Sequence, residues 1–237
     1  DPEFAGLQNP KDCILTFNNL LARTSFIKRM KEVLASLESA YGYPVDMEFT
    51  ATIDSSSGDI RFNLVQCRPM RVPIGADRLS LPKKIPQTLV LFRTNRTLSA
   101  GVARNIKYIL YIDPKSYAMN ASITLKQQVG RIVGELNRHP EIVKDRIIMM
   151  GPGRWGSSNI MLGVNTNYSD INNASVLVEI AREEAGHLPD VSFGTHFFLD
   201  LVESQIIYLP LYPDVPESDF NSSFFEHSPN ILGKFVE

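Results

Sequence analysis

The chain has 237 residues, of which 43% are hydrophobic and 21% charged, so it holds enough apolar surface to build a core and is not a disordered polypeptide. Its formal net charge of -2, without a run of Lys and Arg, argues against a general nucleic-acid surface. No apolar run approaches the roughly 18 residues that cross a bilayer, and the first residues lack a signal-peptide pattern. Cys13 and Cys67 are too few for a disulfide framework or a metal-ligand spacing, so we expect a cytoplasmic protein with reduced thiols.

A helix and a hairpin make up the first predicted unit. Apolar residues recur at every third or fourth position over residues 24–41, which predicts a helix with one buried stripe, and Gly42 ends it. Two strand-like runs follow at residues 45–53 and 60–67, separated by small polar residues that suit a hairpin turn. We expect this unit to occupy residues 5–70.

The second predicted unit is α/β and follows a proline-rich linker at residues 71–87. Strands are predicted at residues 88–92, 106–112, 147–150, 190–193 and 206–211, and helices at 124–138, from Ile171 up to the apolar run 176–180, and at 196–204. This alternation predicts a mixed α/β domain over residues 88–215. Residues 216–237 are predicted to be a tail, and residues 1–4 are typical of a cloning remnant, which indicates a fragment of a longer reading frame.

The first candidate site lies on the predicted hairpin. Asp46 and Glu48 are two residues apart on one strand, as are Gln66 and Arg68 on the next, so the members of each pair share a face. Magnesium-nucleotide chemistry requires carboxylates that hold the metal and an arginine that neutralises charge on the transferred phosphoryl group. The alternative is the polar face of an exposed hairpin with a cross-strand ion pair.

A family resemblance surrounds this site. Residues 41–49, YGYPVDMEF, and residues 64–69, LVQCRP, resemble the end of the ATP-grasp domain of phosphoenolpyruvate synthase and pyruvate phosphate dikinase. The resemblance implies that Glu48 and Gln66 help to hold magnesium-ATP, that Asp46 supports the metal site, and that Arg68 contacts phosphate. What precedes residue 41 is too short for the family's nucleotide-cradling N-terminal half, so we expect this chain alone to bind ATP poorly.

The second candidate site is the glycine-rich stretch at residues 151–158. Glycine lets successive backbone N–H groups curl around an anion, and polar side chains can add donors. The candidate ligands are Gly151, Gly153, Arg154 and Ser157. The stretch lacks the Lys-Ser or Lys-Thr ending of a Walker A motif. The alternative is a tight structural loop pinned by Trp155, stacked with Arg154.

The third candidate is His196, which follows Gly194 and Thr195 at a predicted helix start. A neutral imidazole there can accept a phosphoryl group, because the helix dipole and unpaired N–H donors stabilise the added charge. In the resembled family, a swivelling domain after the ATP-grasp domain carries its catalytic histidine in a Gly-x-Thr-x-His element. The resemblance therefore implies a phosphohistidine-like domain with His196 as the catalytic residue. The alternative is a histidine that caps its helix or fills a polar niche.

Together these expectations describe a fragment of an ATP-dependent phosphotransferase, in which the C-terminal part of an ATP-grasp domain precedes a swivelling-type α/β domain. The resemblance implies Mg²⁺ and ATP as cofactors and a pyruvate-like phosphoryl acceptor bound by a domain outside this chain, which alone would be inactive. No nucleic-acid or membrane partner is expected.

Two other hypotheses remain. The chain could be a non-catalytic anion- or nucleotide-sensing module on a degenerate synthase-like scaffold, a hypothesis favoured by the bulky aromatic residues after His196. Alternatively, the second unit could be an interaction platform whose partner surface is formed by Phe197, Phe198, Tyr208 and Tyr212, although aromatic residues at such positions are more often part of a core.

Overall fold

The computed structural model describes residues 16–54, 59–69, 82, 84–95, 101–182, 190–216 and 218–236. The chain divides into two compact units, Asp1–Met70 and Arg71–Glu237. This division coincides with the predicted end of the first unit. The predicted cloning remnant and most of the predicted linker lie outside the described residues, as does Cys13, whereas Cys67 is a free thiol.

The first unit consists of two helices followed by an antiparallel hairpin. Its elements are α1 (Asn18–Arg23), α2 (Phe26–Tyr41), β1 (Val45–Ile53) and β2 (Ile60–Pro69). Gly42 ends α2 in the left-handed conformation, with φ 72°, and its N–H donates to the Glu38 carbonyl at 2.8 Å. The predicted helix and both predicted strands are confirmed.

Three phenylalanines join α2 to the hairpin. Phe26 on α2 contacts Phe49 on β1 and Phe62 on β2, with ring centroids 6.1 and 5.5 Å apart, and the two strand rings lie 5.5 Å from each other. Aromatic pairs at these separations attract one another beyond their burial. The helix therefore covers the face of the hairpin that carries Phe49 and Phe62.

The second unit is built on a parallel sheet. Its elements, in chain order, are β3 (Phe92–Arg93), β4 (Ile106–Tyr111), α3 (Pro114–Met119), α4 (Ile123–Arg138), α5 (Pro140–Lys144), β5 (Arg146–Pro152), β6 (Val176–Ile180), α6 (His196–Glu203), β7 (Ile207–Leu211), β8 (Asp219–Phe220) and α7 (Ser222–His227). Strands β4, β5, β6 and β7 are neighbours in that order and all parallel. The predicted mixed α/β fold is confirmed at this level.

Both faces of the parallel sheet are covered. All five residues of β6 are buried, as expected for a central strand of a parallel sheet. Val176, Val178 and Ile180 belong to one core cluster, which also contacts Phe220 and Phe225 from the segment after β7. On the other face Phe198 of α6 packs against Tyr208 of β7, with ring centroids 5.3 Å apart.

Helix α4 packs against the core with a stripe that includes two glycines. Leu125, which also fits the apolar spacing of the helix, is 47% exposed. The buried residues of α4 are Lys126, Gly130, Val133, Gly134, Leu136 and Asn137. A side chain at Gly130 would overlap the Asn165 carbonyl, so this glycine lets a loop approach the helix closely. Val133 and Leu136 are thus the apolar members of the buried stripe, which also takes in Lys126 and Asn137.

Other local predictions are wrong. Residues 88–92 begin with a 3₁₀ turn, Gln87–Leu89, and residues 190–193 form no strand but lead into a turn at 192–195. The helix expected from Ile171 is replaced by a single 3₁₀ turn, Tyr168–Asp170, capped by Asn167. The segment predicted as a tail forms β8, which pairs with β3, and α7. Within the described residues, no helix combines the length and apolarity needed to span a membrane.

Candidate functional site

The hairpin brings its four predicted site residues together. Asp46 pairs directly with Arg68, and Glu48 pairs directly with Gln66. Residues directly opposite each other in an antiparallel ladder point to the same face. The predicted juxtaposition of two carboxylates, an amide and a guanidinium is therefore present, on the face opposite Phe49.

A β-bulge makes this arrangement possible. The register shifts between Glu48 and Phe49: Phe49 pairs with Leu64 while Glu48 pairs with Gln66, so Val65 is the extra residue. Without the extra residue, strict alternation would place Gln66 on the same face as Leu64. At the bulge, the side chains of β2 change face, so that Leu64 lies on the helix-covered face and Gln66 on the polar face. Sequence alternation alone does not predict this change of face.

Gln66 holds Arg68 in place. With its amide oxygen towards the guanidinium, Gln66 accepts hydrogen bonds from Arg68 Nε and from Arg68 Nη2, the latter at 2.7 Å. Hydrogen bonds from a charged donor are stronger than neutral ones, so Arg68 is kept against the hairpin. This contact engages the Gln66 oxygen and leaves Asp46 and Glu48 as the carboxylates that could hold a metal.

Asp46 and Glu48 are the residues of this face that could contribute oxygen ligands to a metal ion. Mg²⁺ is usually held by one or two carboxylates, together with phosphate oxygens and waters. Glu48 is exposed and Asp46 is half-buried, so both remain accessible from the same face. Among the described residues, no group of three or more His, Cys, Asp or Glu side chains is placed to hold a metal ion. Asp46 and Glu48 alone therefore do not form an all-protein metal site among these residues.

The glycine-rich stretch uses its backbone amides internally. Gly151 and Pro152 lie in β5. The N–H of Gly153 donates to the Ile180 carbonyl at 2.9 Å, and that of Arg154 donates to the Leu162 carbonyl at 2.8 Å. The N–H of Trp155 donates to Glu179 at 2.7 Å. Three consecutive amides are thus engaged inside the protein and do not point at a ligand.

The polar side chains of the same stretch are less constrained. Ser157 accepts a hydrogen bond from the Asn159 N–H at 3.1 Å. Arg154 is half-buried, and none of the described carboxylates forms an ion pair with it. Trp155 is fully buried, and within the described residues it makes no cation–π contact with Arg154. Arg154 and Ser157 remain the anion-binding candidates of this stretch.

A buried carboxylate, missed by the sequence analysis, anchors the stretch. Glu179 on β6 accepts hydrogen bonds from the Ser192 N–H, the Ser192 hydroxyl and the Tyr208 hydroxyl, each at 2.6 Å, besides the one from Trp155. Burial raises the pKa of the Glu179 carboxyl, and these hydrogen bonds act in the opposite direction. Burial, followed by the Glu179 charge, raises the pKa of Tyr208. The signal in the sequence is one acidic residue inside the apolar run 176–180.

His196 is the first residue of α6 and is exposed. The helix is capped by Thr195, whose hydroxyl oxygen accepts from the Phe198 N–H at 3.3 Å. The glycine-rich stretch lies beside this helix start, because Gly156 contacts Phe197 and the Ser192 hydroxyl lies 2.8 Å from the Trp155 carbonyl. The structure thus places the second and third candidate sites next to each other.

The aromatic residues proposed for a partner surface are buried instead. Phe197, Phe198, Tyr208 and Tyr212 have exposures of 8%, 3%, 1% and 9%. These side chains belong to the core of the second unit, so the interaction-platform hypothesis is wrong.

Comparison of the chain with protein-family models, with curated proteins and with solved structures finds no match.

Proposed function

We propose that the chain is part of an ATP-dependent phosphotransferase of the synthase and dikinase type, with a magnesium-ATP contact surface on the β1–β2 hairpin. The observation that carries the proposal is the register in which Asp46 faces Arg68 and Glu48 faces Gln66. Carboxylates for the metal and an arginine for the phosphates then share one face, which is what transfer of a phosphoryl group from magnesium-ATP requires.

The exposed apolar surface of the first unit is consistent with a unit that supplies only half of a nucleotide site. Several large apolar side chains of this unit are exposed to solvent, with exposed fractions of 45% for Leu21, 41% for Ile27, 49% for Leu64 and 65% for Val65. Apolar surface of this kind suits a segment that packs against further sequence. In this proposal the hairpin is the C-terminal part of an ATP-grasp domain, and the other half of the site is supplied by sequence beyond this chain.

In the same proposal the second unit is a swivelling-type domain, and His196 carries the phosphoryl group to a pyruvate-like acceptor. An exposed imidazole at the first position of α6 is accessible to a phosphoryl donor. A phosphate added there would be stabilised by the positive end of the helix dipole and by the first N–H groups of the helix.

A second candidate function is a non-catalytic anion sensor that uses Arg154 and Ser157. The observation in its favour is the Glu179 network, which fixes the backbone of the stretch through Trp155 and keeps Arg154 at the surface of a rigid loop. A fixed loop offers a preorganised binding site, which lowers the cost of holding an anion.

Intact-protein mass spectrometry at neutral pH distinguishes the two functions. The full-length natural protein is incubated with magnesium-ATP, and we expect one acid-labile phosphoryl adduct in the wild type and none in His196→Ala. Glu48→Gln should slow adduct formation at least about tenfold, because it removes a metal-binding charge. Glu38→Gln, which changes an exposed glutamate of α2, is the matched control and should behave as wild type.

The opposite outcome would also be informative. If ATP binds but no adduct forms in the wild type, the phosphotransferase proposal is rejected. Stoichiometric anion binding that is lost in Arg154→Ala but retained in His196→Ala would then establish the sensor.

A further inference from the structure

A cavity of about 180 Å³ opens at the carboxyl edge of the parallel sheet. Pro152 and Gly153 form part of its wall at the end of β5, and Ile180 and Arg182 form another part at the end of β6. In parallel α/β sheets, ligands bind in the crevice outside the carboxyl ends of the strands. The position of the cavity is therefore that of a ligand site, and its size limits the ligand to a small molecule.

Lys126 lines this cavity although it is only 5% exposed. It lies one turn before Gly130 on the buried stripe of α4. Its ammonium lies 4.9 Å from the centre of the Tyr117 ring, and no carboxylate of the described residues forms an ion pair with it. Among the described residues the ammonium thus has no counter-ion, and an aromatic ring satisfies none of its three N–H donors fully.

The second cation of the cavity is already neutralised. Arg182 forms an ion pair with Asp214 at 3.0 Å, and its guanidinium lies 5.8 Å from the centre of the Phe220 ring. Only the Lys126 charge, among the cavity residues that the structure describes, then lacks a carboxylate partner. One positive charge matches a ligand with one negative charge.

Apart from Lys126, Arg182 and Tyr117, the wall is lined by apolar side chains and by backbone, and it offers few hydrogen-bond donors. It includes Pro114, Ala118, Met161, Leu162 and Ile180. The Gly153 N–H is engaged by the Ile180 carbonyl, and the Tyr117 hydroxyl donates to the Gly163 carbonyl at 2.9 Å. Phosphate, which presents several acceptor oxygens and more than one charge, would leave many of them unsatisfied here. A carboxylate on a short hydrocarbon chain suits both the charge and the wall.

We propose that this cavity binds a small organic monocarboxylate. The carboxylate accepts hydrogen bonds from the Lys126 ammonium, and the hydrocarbon chain contacts Met161, Leu162 and Ile180. The site uses neither the hairpin residues nor Arg154 nor His196, so it stands or falls independently of the phosphotransferase proposal.

Methyl NMR of the 237-residue chain tests this site. The chain is labelled with ¹³C at its methionine methyl groups, the Met161 signal is identified with Met161→Leu, and sodium butanoate is titrated at constant ionic strength. We expect a saturable shift of the Met161 signal. Lys126→Leu should weaken binding at least about tenfold, the loss expected for one charge-assisted hydrogen bond. Lys115→Leu, which removes an exposed lysine of α3, should leave binding unchanged.

Three results would overturn the proposal: no saturable shift, equal binding by Lys126→Leu, or a shift with inorganic phosphate but not with butanoate. Folding of each variant is checked by the fluorescence of Trp155. If Lys126→Leu does not fold, Ala118→Leu provides the test, because it fills the cavity from α3 and leaves Lys126 in place. Butanoate binding by Ala118→Leu with wild-type affinity would likewise contradict the site.

Discussion

Glu179 is the fourth of the five residues of β6 and has 0% exposure, and its side chain joins segments that are far apart in the sequence. Its two oxygens accept hydrogen bonds from Trp155 after β5, from Ser192 before α6 and from Tyr208 on β7. A buried polar network of this kind is stabilising only while each member is satisfied. The placement of the glycine-rich stretch and of the start of α6 therefore depends on one carboxyl group.

We expect Glu179→Gln to lower the free energy of unfolding by about 1–3 kcal/mol, because an NH₂ group replaces an oxygen that accepts two hydrogen bonds. Urea unfolding can be followed by the fluorescence of Trp155, the single tryptophan, which is fully buried. The control is Glu135→Gln at an exposed position of α4, which should change stability by less than about 0.5 kcal/mol.

The same substitution should change the pH dependence of stability. Burial raises the pKa of Glu179 above its ordinary value of 4.5, so the folded state keeps this proton to higher pH than the unfolded chain does. Stability contributed by this group is therefore lost as pH rises from 4.5 through the folded-state pKa. Wild type should lose stability relative to Glu179→Gln across that window. A difference between the two that stays constant with pH would contradict the raised pKa.

At the scale of elements, α4 shows where sequence patterns succeed and where they fail. Its limits are predicted to within a residue, because apolar spacing marks them. The face that packs follows from apolar spacing only in part, since it contains Gly130 and Gly134 besides Val133 and Leu136. Glycine inside a helix costs about 1 kcal/mol relative to alanine. The loop that approaches Gly130 is distant in sequence, so apolar spacing carries no information about it.

Gly130→Ala should destabilise the second unit by about 1–3 kcal/mol. Alanine improves helix propensity, but its methyl group would overlap the Asn165 carbonyl oxygen, and overpacking against backbone outweighs the gain. Urea unfolding monitored through Trp155 measures the change. Gly233→Ala is the matched control, because a methyl group there meets no atom within 4 Å. Stabilisation by Gly130→Ala would show that the loop moves aside at little cost.

The candidate sites differ in how far they follow from the sequence. The hairpin site is predictable in part, because each of its two residue pairs lies on one of two adjacent strands joined by a short connection, whereas the bulge at Val65 that shifts their register is not predicted. The cavity around Lys126 is not predictable, because α4 and the ends of β5 and β6 meet only in the folded chain. The prediction of a strand at residues 190–193 is wrong for the same reason, because contacts with distant residues decide its conformation. Ser192 there donates to Glu179 and its carbonyl accepts from Thr195, contacts that hold a turn.

At the scale of the whole molecule, the two units differ in how much of their surface they bury. Every described residue that is buried, from Pro114 to Tyr212, belongs to the second unit. In the first unit the three clustered phenylalanines are only half-buried. The stabilisation that the hydrophobic effect provides scales with the apolar area removed from water. We therefore expect this effect to stabilise the first unit less than the second.

Hydrogen exchange should show this difference directly. Both units contain hydrogen-bonded strands, so amide protection reports the free energy of opening and not the presence of a ladder. We expect amides of β1 and β2 to exchange at least about tenfold faster than those of β5 and β6, which corresponds to about 1.4 kcal/mol or more in opening free energy. Peptide-resolved mass spectrometry of the wild-type chain measures both sets in one experiment. Equal opening free energies in the two units would mean that the chain unfolds as one cooperative body, and the division at residue 70 would then have no thermodynamic counterpart.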